Sequence, residues 1–191
     1  MEGNKFPYQR IIVIGTTGSG KSTLAEKLAQ QLELELIELD ALHWLPGWQA
    51  LPDQEFRTLV DIATRRPAWS IAGNYSTARD ISWPRAQAVV WLDYPLWTIF
   101  WQLWFRTWRR WWSQELLWGT NRERLFSQFK LWSADESIFR WLFSTYWKRK
   151  REYPLLFGKP EYSHLQIFTM HNPQETEAWL KTISPGQVSS R

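Results

Sequence analysis

Two rhythms of apolar residues alternate along the chain. Arg10-Ile11-Ile12-Val13-Ile14 is a short β-branched run of the kind a buried parallel strand needs. From Ser22 the apolar residues recur three and four apart (Leu24, Ala25, Leu28, Ala29), which predicts an amphipathic helix over about 21–31. Residues 34–39 alternate and read as a second strand that ends at Asp40, followed by a loop over 41–48. Pro52 with acids behind it opens a helix to about 66. Residues 69–73 and 88–93 are the third and fourth strands. Pro95 opens a long helix to about 112, a further helix is expected over 135–151, and 164–169 is the fifth strand. Pro173 starts the closing helix. Strands that alternate with helices predict an α/β fold with a parallel sheet covered on both faces. One domain over 1–183 is expected, with a lid insertion over about 113–137 and a frayed polar tail over 184–191.

The turn between the first strand and the first helix carries the strongest chemistry. Gly15-Thr16-Thr17-Gly18-Ser19-Gly20-Lys21-Ser22 fits the phosphate-binding pattern G-x-x-x-x-G-K-[ST] at every fixed position, in the strand–turn–helix setting that pattern requires. Backbone N–H groups of such a loop and of the helix that follows point at phosphate oxygens. Lys21 is expected on the β- and γ-phosphates, the Ser22 hydroxyl on Mg²⁺, and Thr23 near the α-phosphate. ATP is therefore the expected co-substrate and Mg²⁺ its companion ion.

Composition narrows the class. The chain has 191 residues, 44% of them apolar, and no cysteine, which excludes disulfides and thiolate metal sites. No secretory leader is expected at the N-terminus, and no run is long enough for a membrane span, so a cytoplasmic location is the expectation. A net charge of +4 suits a polyphosphate ligand and is too weak alone to argue for nucleic acid. The 16 tryptophans are the oddity. Trp97, Trp101, Trp104, Trp108 and Trp111 fall on one helical stripe, and the first expectation is that this stripe packs on the sheet and under the lid. A dimer seam and a helix lying in a membrane interface are the alternatives.

Taken with the P-loop, the segments Asp40-Ala41-Leu42-His43-Trp44-Leu45-Pro46-Gly47-Trp48, Gly73-Asn74-Tyr75 and Leu92-Asp93-Tyr94-Pro95 give a resemblance. The chain resembles adenylate-kinase-related P-loop proteins, and within them the bacterial DNA topology modulation (FlaR-like) group. The resemblance spans about residues 10–182. It implies a three-layer P-loop NTPase fold with a five-stranded sheet in the order 2-3-1-4-5 and an arginine-bearing lid. It also exposes a departure: relatives carry an acid before Gly-Asn-Tyr, where this chain has Ala72.

Candidate acceptor residues follow from topology, because ligands of open α/β sheets sit beyond the carboxyl ends of the strands. Asp40 is expected there as acid–base group or magnesium support in place of Ala72, and Asp93 ends the fourth strand in an equivalent place. His43 and Trp44, with Trp48, would line an acceptor pocket. Asn74, Tyr75 and Arg79 face the same crevice, with Arg85 behind them. Arg106, Arg109 and Arg110 share a helical face and are candidates for the cations that phosphoryl transfer needs, as are Arg122, Arg124 and Arg140. Lys148 to Arg151 reads as a solvated helix end.

The reading is a kinase that moves the ATP γ-phosphoryl to a small molecule or nucleotide, as a monomer or homodimer. An ATP-dependent regulatory or DNA-interacting protein with weak hydrolysis is the second reading, and a peripheral membrane ATPase the third. Nucleic acid is an unfavoured partner, since no recognition motif accompanies the interleaved basic and aromatic residues.

Overall fold

The computed structural model describes residues 4–113, 116–117, 121–122 and 138–185. Its centre is a five-stranded parallel sheet of β1 (Arg10–Gly15), β2 (Glu35–Glu38), β3 (Trp69–Ala72), β4 (Ala88–Leu92) and β5 (Gln166–Met170). The strand order across it is 2-3-1-4-5, with β1 in the middle. Around the sheet lie α1 (Lys21–Leu32), α2 (Leu39–His43), α3 (Asp53–Thr64), α4 (Arg79–Ser82), α5 (Leu96–Ser113), α6 (Ile138–Phe157) and α7 (Pro173–Thr182).

Alternation along β1 builds the two outer layers. Ile11 and Val13 point into one apolar cluster with Leu24 and Leu28 of α1, Ile99 and Leu103 of α5, Leu142 of α6 and Leu180 of α7. Ile12 and Ile14 point into the other, with Phe56 and Val60 of α3, Trp69 and Trp83. A strand buried on both faces must be apolar throughout, which is why β1 reads as an unbroken run. Trp69 is wholly buried, and its indole N–H donates to the Thr64 carbonyl.

Helix α6 joins the layers. Its early residues Leu142 and Tyr146 pack in the α1 cluster, while Tyr153, Leu156 and Phe157 pack in the α3 cluster. It therefore crosses the carboxyl end of the sheet, above the P-loop. The helix runs on to Phe157 through Pro154, six residues past its expected end at 151.

Other differences from the sequence reading are local. Asp40 does not end a strand: β2 stops at Glu38 and the chain turns directly into α2. The expected loop after it closes into a small hairpin, Trp44–Leu45 against Gln49–Ala50, around Pro46-Gly47 with Gly47 at φ 78°. The tail does not begin at Ser184, because Ile183–Pro185 pairs in parallel with Asn4–Phe6, a strand the sequence reading lacked. Of the tryptophan stripe only Trp104 packs, half-buried, against the core cluster under the sheet, and the Trp111 side chain lies outside the described residues. Ile99, Leu103 and Thr107 form the inner face of α5, and Trp97, Trp101 and Trp108 face outward. Of the expected lid, residues 114–115, 118–120 and 123–137, Arg124 among them, lie outside the described residues.

Candidate functional site

Three elements converge where the sheet order reverses around β1. The P-loop leaves β1, α5 lies along it, and α6 crosses above it. Gly15, Gly18 and Gly20 hold φ values of 156°, 85° and 91°. A side chain at Gly18 would also meet Leu103 Cβ at 3.0 Å, so the loop is pressed against the inner face of α5. A Cβ at Gly20 would meet nothing within 4 Å; only its backbone angle demands glycine there. Thr16 and Ser19 are buried, and the Ser19 N–H donates to the Thr16 carbonyl at 3.1 Å, which tightens the loop. Ser22 and Thr23 are exposed at the start of α1.

The Lys21 ammonium donates to the Thr16 carbonyl at 3.0 Å. Burial of the ammonium lowers its pKa from 10.5 to about 7; Arg149 and Arg106 push the same way, and Asp40 opposes them. The half-buried Arg149 of α6 sends its guanidinium toward the Gly15 carbonyl, 3.5 Å away. Lys21, Arg106 and Arg149 thus gather positive charge around one loop, an arrangement suited to a polyphosphate. Arg149 is the residue that the sequence reading missed, because it sits in a run that looks like a solvated helix end. The signal available was Tyr146 and Tyr153, which flank it at helical spacing and mark α6 as a packed helix.

Asp40, the carboxylate that acts on Lys21, is fixed in place. The Tyr75 hydroxyl donates to Asp40 Oδ1 at 2.6 Å, and Trp44 is also a hydrogen-bonding neighbour of that hydroxyl. Burial and the adjacent Asp40 charge raise the Tyr75 pKa far above its ordinary value, so Tyr75 stays a neutral donor. The His43 ring lies 4.8 Å from Tyr75, 4.9 Å from Trp44 and 5.0 Å from Phe56. Its Nδ1 is buried without a hydrogen-bond partner among the described residues. Trp48 closes the group edge-on to Trp44 at 5.9 Å.

Other expected site residues sit elsewhere. The Asn74 side chain accepts from the Gly15 N–H at 3.2 Å and donates to the Gly15 carbonyl, so it clamps the entry of the P-loop. Arg79 lies over the Trp83 ring at 5.4 Å, with Tyr153 and Tyr162 within its electrostatic reach. Arg85 is bound to Asp61 and Thr64, at the far end of the sheet from the P-loop. Arg109 is exposed, whereas Arg106 on the same helix is half-buried and faces Lys21. Asp93 pairs with Lys150 at 3.4 Å and with His171 at 3.9 Å.

At Ala72 the chain is closed to chemistry. Ala72 is buried in register with Val13 on one side and Glu38 on the other, and a Cβ on Gly73 would strike Leu39 Cβ at 2.8 Å. Asp40, one residue beyond Leu39, is the carboxylate that reaches the electrostatic field of Lys21. Among the described residues no group of three or more His, Asp or Glu could hold a metal by itself.

Comparison with known proteins bears on the fold. A family model for an AAA domain matches residues 11–91, from β1 through most of β4. No curated protein matches the chain. Among solved structures, a gluconokinase from Sinorhizobium meliloti 1021 superposes with a TM-score of 0.52 at 18% identity, covering 93% of this chain and 94% of that one. The two chains share one α/β fold. A shikimate kinase from Bacteroides thetaiotaomicron aligns with a TM-score of 0.49 and 16% identity over 91% of this chain and 95% of that one. A sugar kinase from Janibacter sp. HTCC2649 gives 0.41 and 21% over 92% and 96%.

Proposed function

We propose that this protein is a kinase that transfers the γ-phosphoryl group of ATP to a hydroxyl-bearing small molecule. The observation that carries the reading is the convergence on Lys21: Arg106 and Arg149 add positive charge to it, and the Tyr75-bound Asp40 is the carboxylate that counters them. The P-loop N–H groups and Lys21 would bind the β- and γ-phosphates. Ser22 would hold Mg²⁺, which supplies charge neutralisation at the phosphate oxygens. Arg106 and Arg149 would meet charge that develops on the equatorial oxygens in the transition state, where preorganised cations are most effective.

Asp40 would accept the proton of the attacking hydroxyl while its O–P bond forms and the γ-phosphorus–oxygen bond to ADP breaks. Its hydrogen bond to Tyr75 leaves one carboxylate oxygen for that proton and fixes the direction in which it points. The aromatic walls of His43, Trp44 and Trp48 would exclude water from the acceptor, which favours transfer over hydrolysis. A cytoplasmic location follows as part of this proposal, from the need for ATP.

The second reading, a nucleotide-gated DNA-interacting protein, draws on the resemblance of residues 40–48 and 73–75 to the DNA topology modulation group. The half-buried Asp40–Tyr75 pair favours the first, because a DNA-binding switch has no evident use for a carboxylate oriented by a hydrogen bond within the electrostatic reach of Lys21. A screen of sugars, sugar acids, nucleosides and nucleoside monophosphates with purified protein and Mg-ATP separates them. Acceptor-stimulated ADP release with a phosphorylated product supports the kinase. ADP release stimulated only by DNA supports the alternative.

A further inference from the structure

We propose that the outer face of α5, continued onto α6, docks on an anionic lipid bilayer. This inference rests on surface chemistry and is independent of the phosphoryl acceptor. The inner face of α5 is accounted for: Ile99 and Leu103 are fully buried, and Leu103 presses on the P-loop at Gly18. The outer face is an aromatic ridge. Trp97, Trp101 and Phe105 follow one another at four-residue spacing with 69%, 51% and 66% of their surface exposed, and Trp108 and Trp112 continue the line. Helix α6 widens it with the exposed Phe143 and Trp147, and the Phe100–Phe143 ring contact at 6.4 Å ties the two helices together. Single exposed hydrophobes are ordinary on a folded surface, whereas a contiguous ridge marks an interaction face.

Charge decides what kind of partner that face takes. Helix α5 contains no Asp or Glu from Leu96 to Ser113 but carries Arg109 and Arg110 besides the Lys21-facing Arg106. The neighbouring stretch of α6 adds Lys148 and Arg151, with Glu152 3.8 Å from Lys148, while Lys150 is paired with Asp93. A second copy of the chain would set one arginine-bearing α5 against another, with no carboxylate on either helix to answer the cations. An anionic bilayer answers both features at once. Indole rings settle at the headgroup level, where the ring leaves water and the N–H keeps a hydrogen bond, and the flanking arginines meet lipid phosphates. Among the described residues no helix is long and apolar enough to cross a membrane. An arginine-bearing helix with a Trp and Phe face is built to lie in the interface plane. Because Arg106 on the same helix faces Lys21, the bilayer contact and the phosphate site would be opposite sides of one helix.

The test is co-sedimentation of the full chain with vesicles of phosphatidylglycerol and phosphatidylcholine, against vesicles of phosphatidylcholine alone. At physiological salt the expected partition into the anionic vesicles is at least about tenfold higher, with a blue shift of tryptophan emission and release at high salt. A Trp97→Ser, Trp101→Ser, Phe105→Ser variant should lose at least about tenfold of that partition while nucleotide affinity and melting temperature hold, since all three side chains are exposed. Should the triple variant fail to fold, Arg109→Glu reverses an exposed charge and should weaken anionic-vesicle binding alone. Absence of vesicle binding by the unaltered protein would overturn the proposal. So would equal partition into both kinds of vesicle, or binding that neither variant alters. A concentration-dependent dimer that the triple variant dissociates, with no vesicle binding, would assign the face to a second copy.

Discussion

Lys21 joins sequence, electrostatics and function most tightly. Its pKa near 7 in the unliganded site comes from burial first and from Arg149 and Arg106 after that. A bound polyphosphate favours the charged form and must raise that value. The sign follows: below about pH 7 Lys21 is already protonated and nucleotide affinity is level, whereas above it binding takes up a proton and affinity falls as pH climbs. Calorimetry at pH 8 in buffers of different ionisation enthalpy should detect uptake approaching one proton per nucleotide, and zero uptake would refute the assignment. Arg149→Ala removes a neighbouring cation, so the decline should move to higher pH while overall affinity drops by about tenfold or more, the scale of a lost charged hydrogen bond. Lys148→Ala, one residue away and exposed, should change neither.

Most of the P-loop could be read from residues alone, because its pattern specifies backbone geometry as well as side chains. Asn74, Arg79 and Arg149 could not. Whether a polar side chain faces a cleft or ties down a neighbouring strand depends on which main-chain atoms arrive beside it, and for Asn74 these come from Gly15, 59 positions away.

At the scale of elements, boundaries moved where tertiary packing outweighed local propensity. Helix α6 continues through Pro154 because Tyr153 and Phe157 bury against Trp91, with ring centroids at 5.7 Å and 5.6 Å. The tryptophans of α5 misled for a different reason: a helix apolar nearly all round does not reveal which face meets the sheet. The shorter residues Ile99 and Leu103 take the inner face because the P-loop passes so close. Gly18→Ala tests that contact. With φ at 85° and Leu103 Cβ 3.0 Å from the new methyl, the variant should lose nucleotide binding by more than tenfold and stability by about 1–3 kcal/mol, read by titration and denaturant unfolding. Gly20→Ala has room for its methyl and shares only the backbone strain, so its stability loss should be the smaller.

For the molecule as a whole, alternating strands and helices made the parallel sheet legible in the residues, whereas the strand order came only with the resemblance to adenylate-kinase-related proteins. The order 2-3-1-4-5 puts β3 beside β1 and so places residue 72 next to the phosphate loop. In this chain that place is filled by a buried methyl group, and the acidic function is proposed to rest on Asp40, two residues past the Glu38 that pairs with Ala72. Comparing Asp40→Asn with the unaltered protein tests this most directly, by measuring Mg-ATP affinity and acceptor-dependent turnover on the same preparations. The substitution keeps size and removes the proton acceptor. The predicted result is ATP affinity within about threefold of the original and turnover lowered by about 10²-fold or more, the scale of a lost general base. Full turnover in Asp40→Asn would contradict the account.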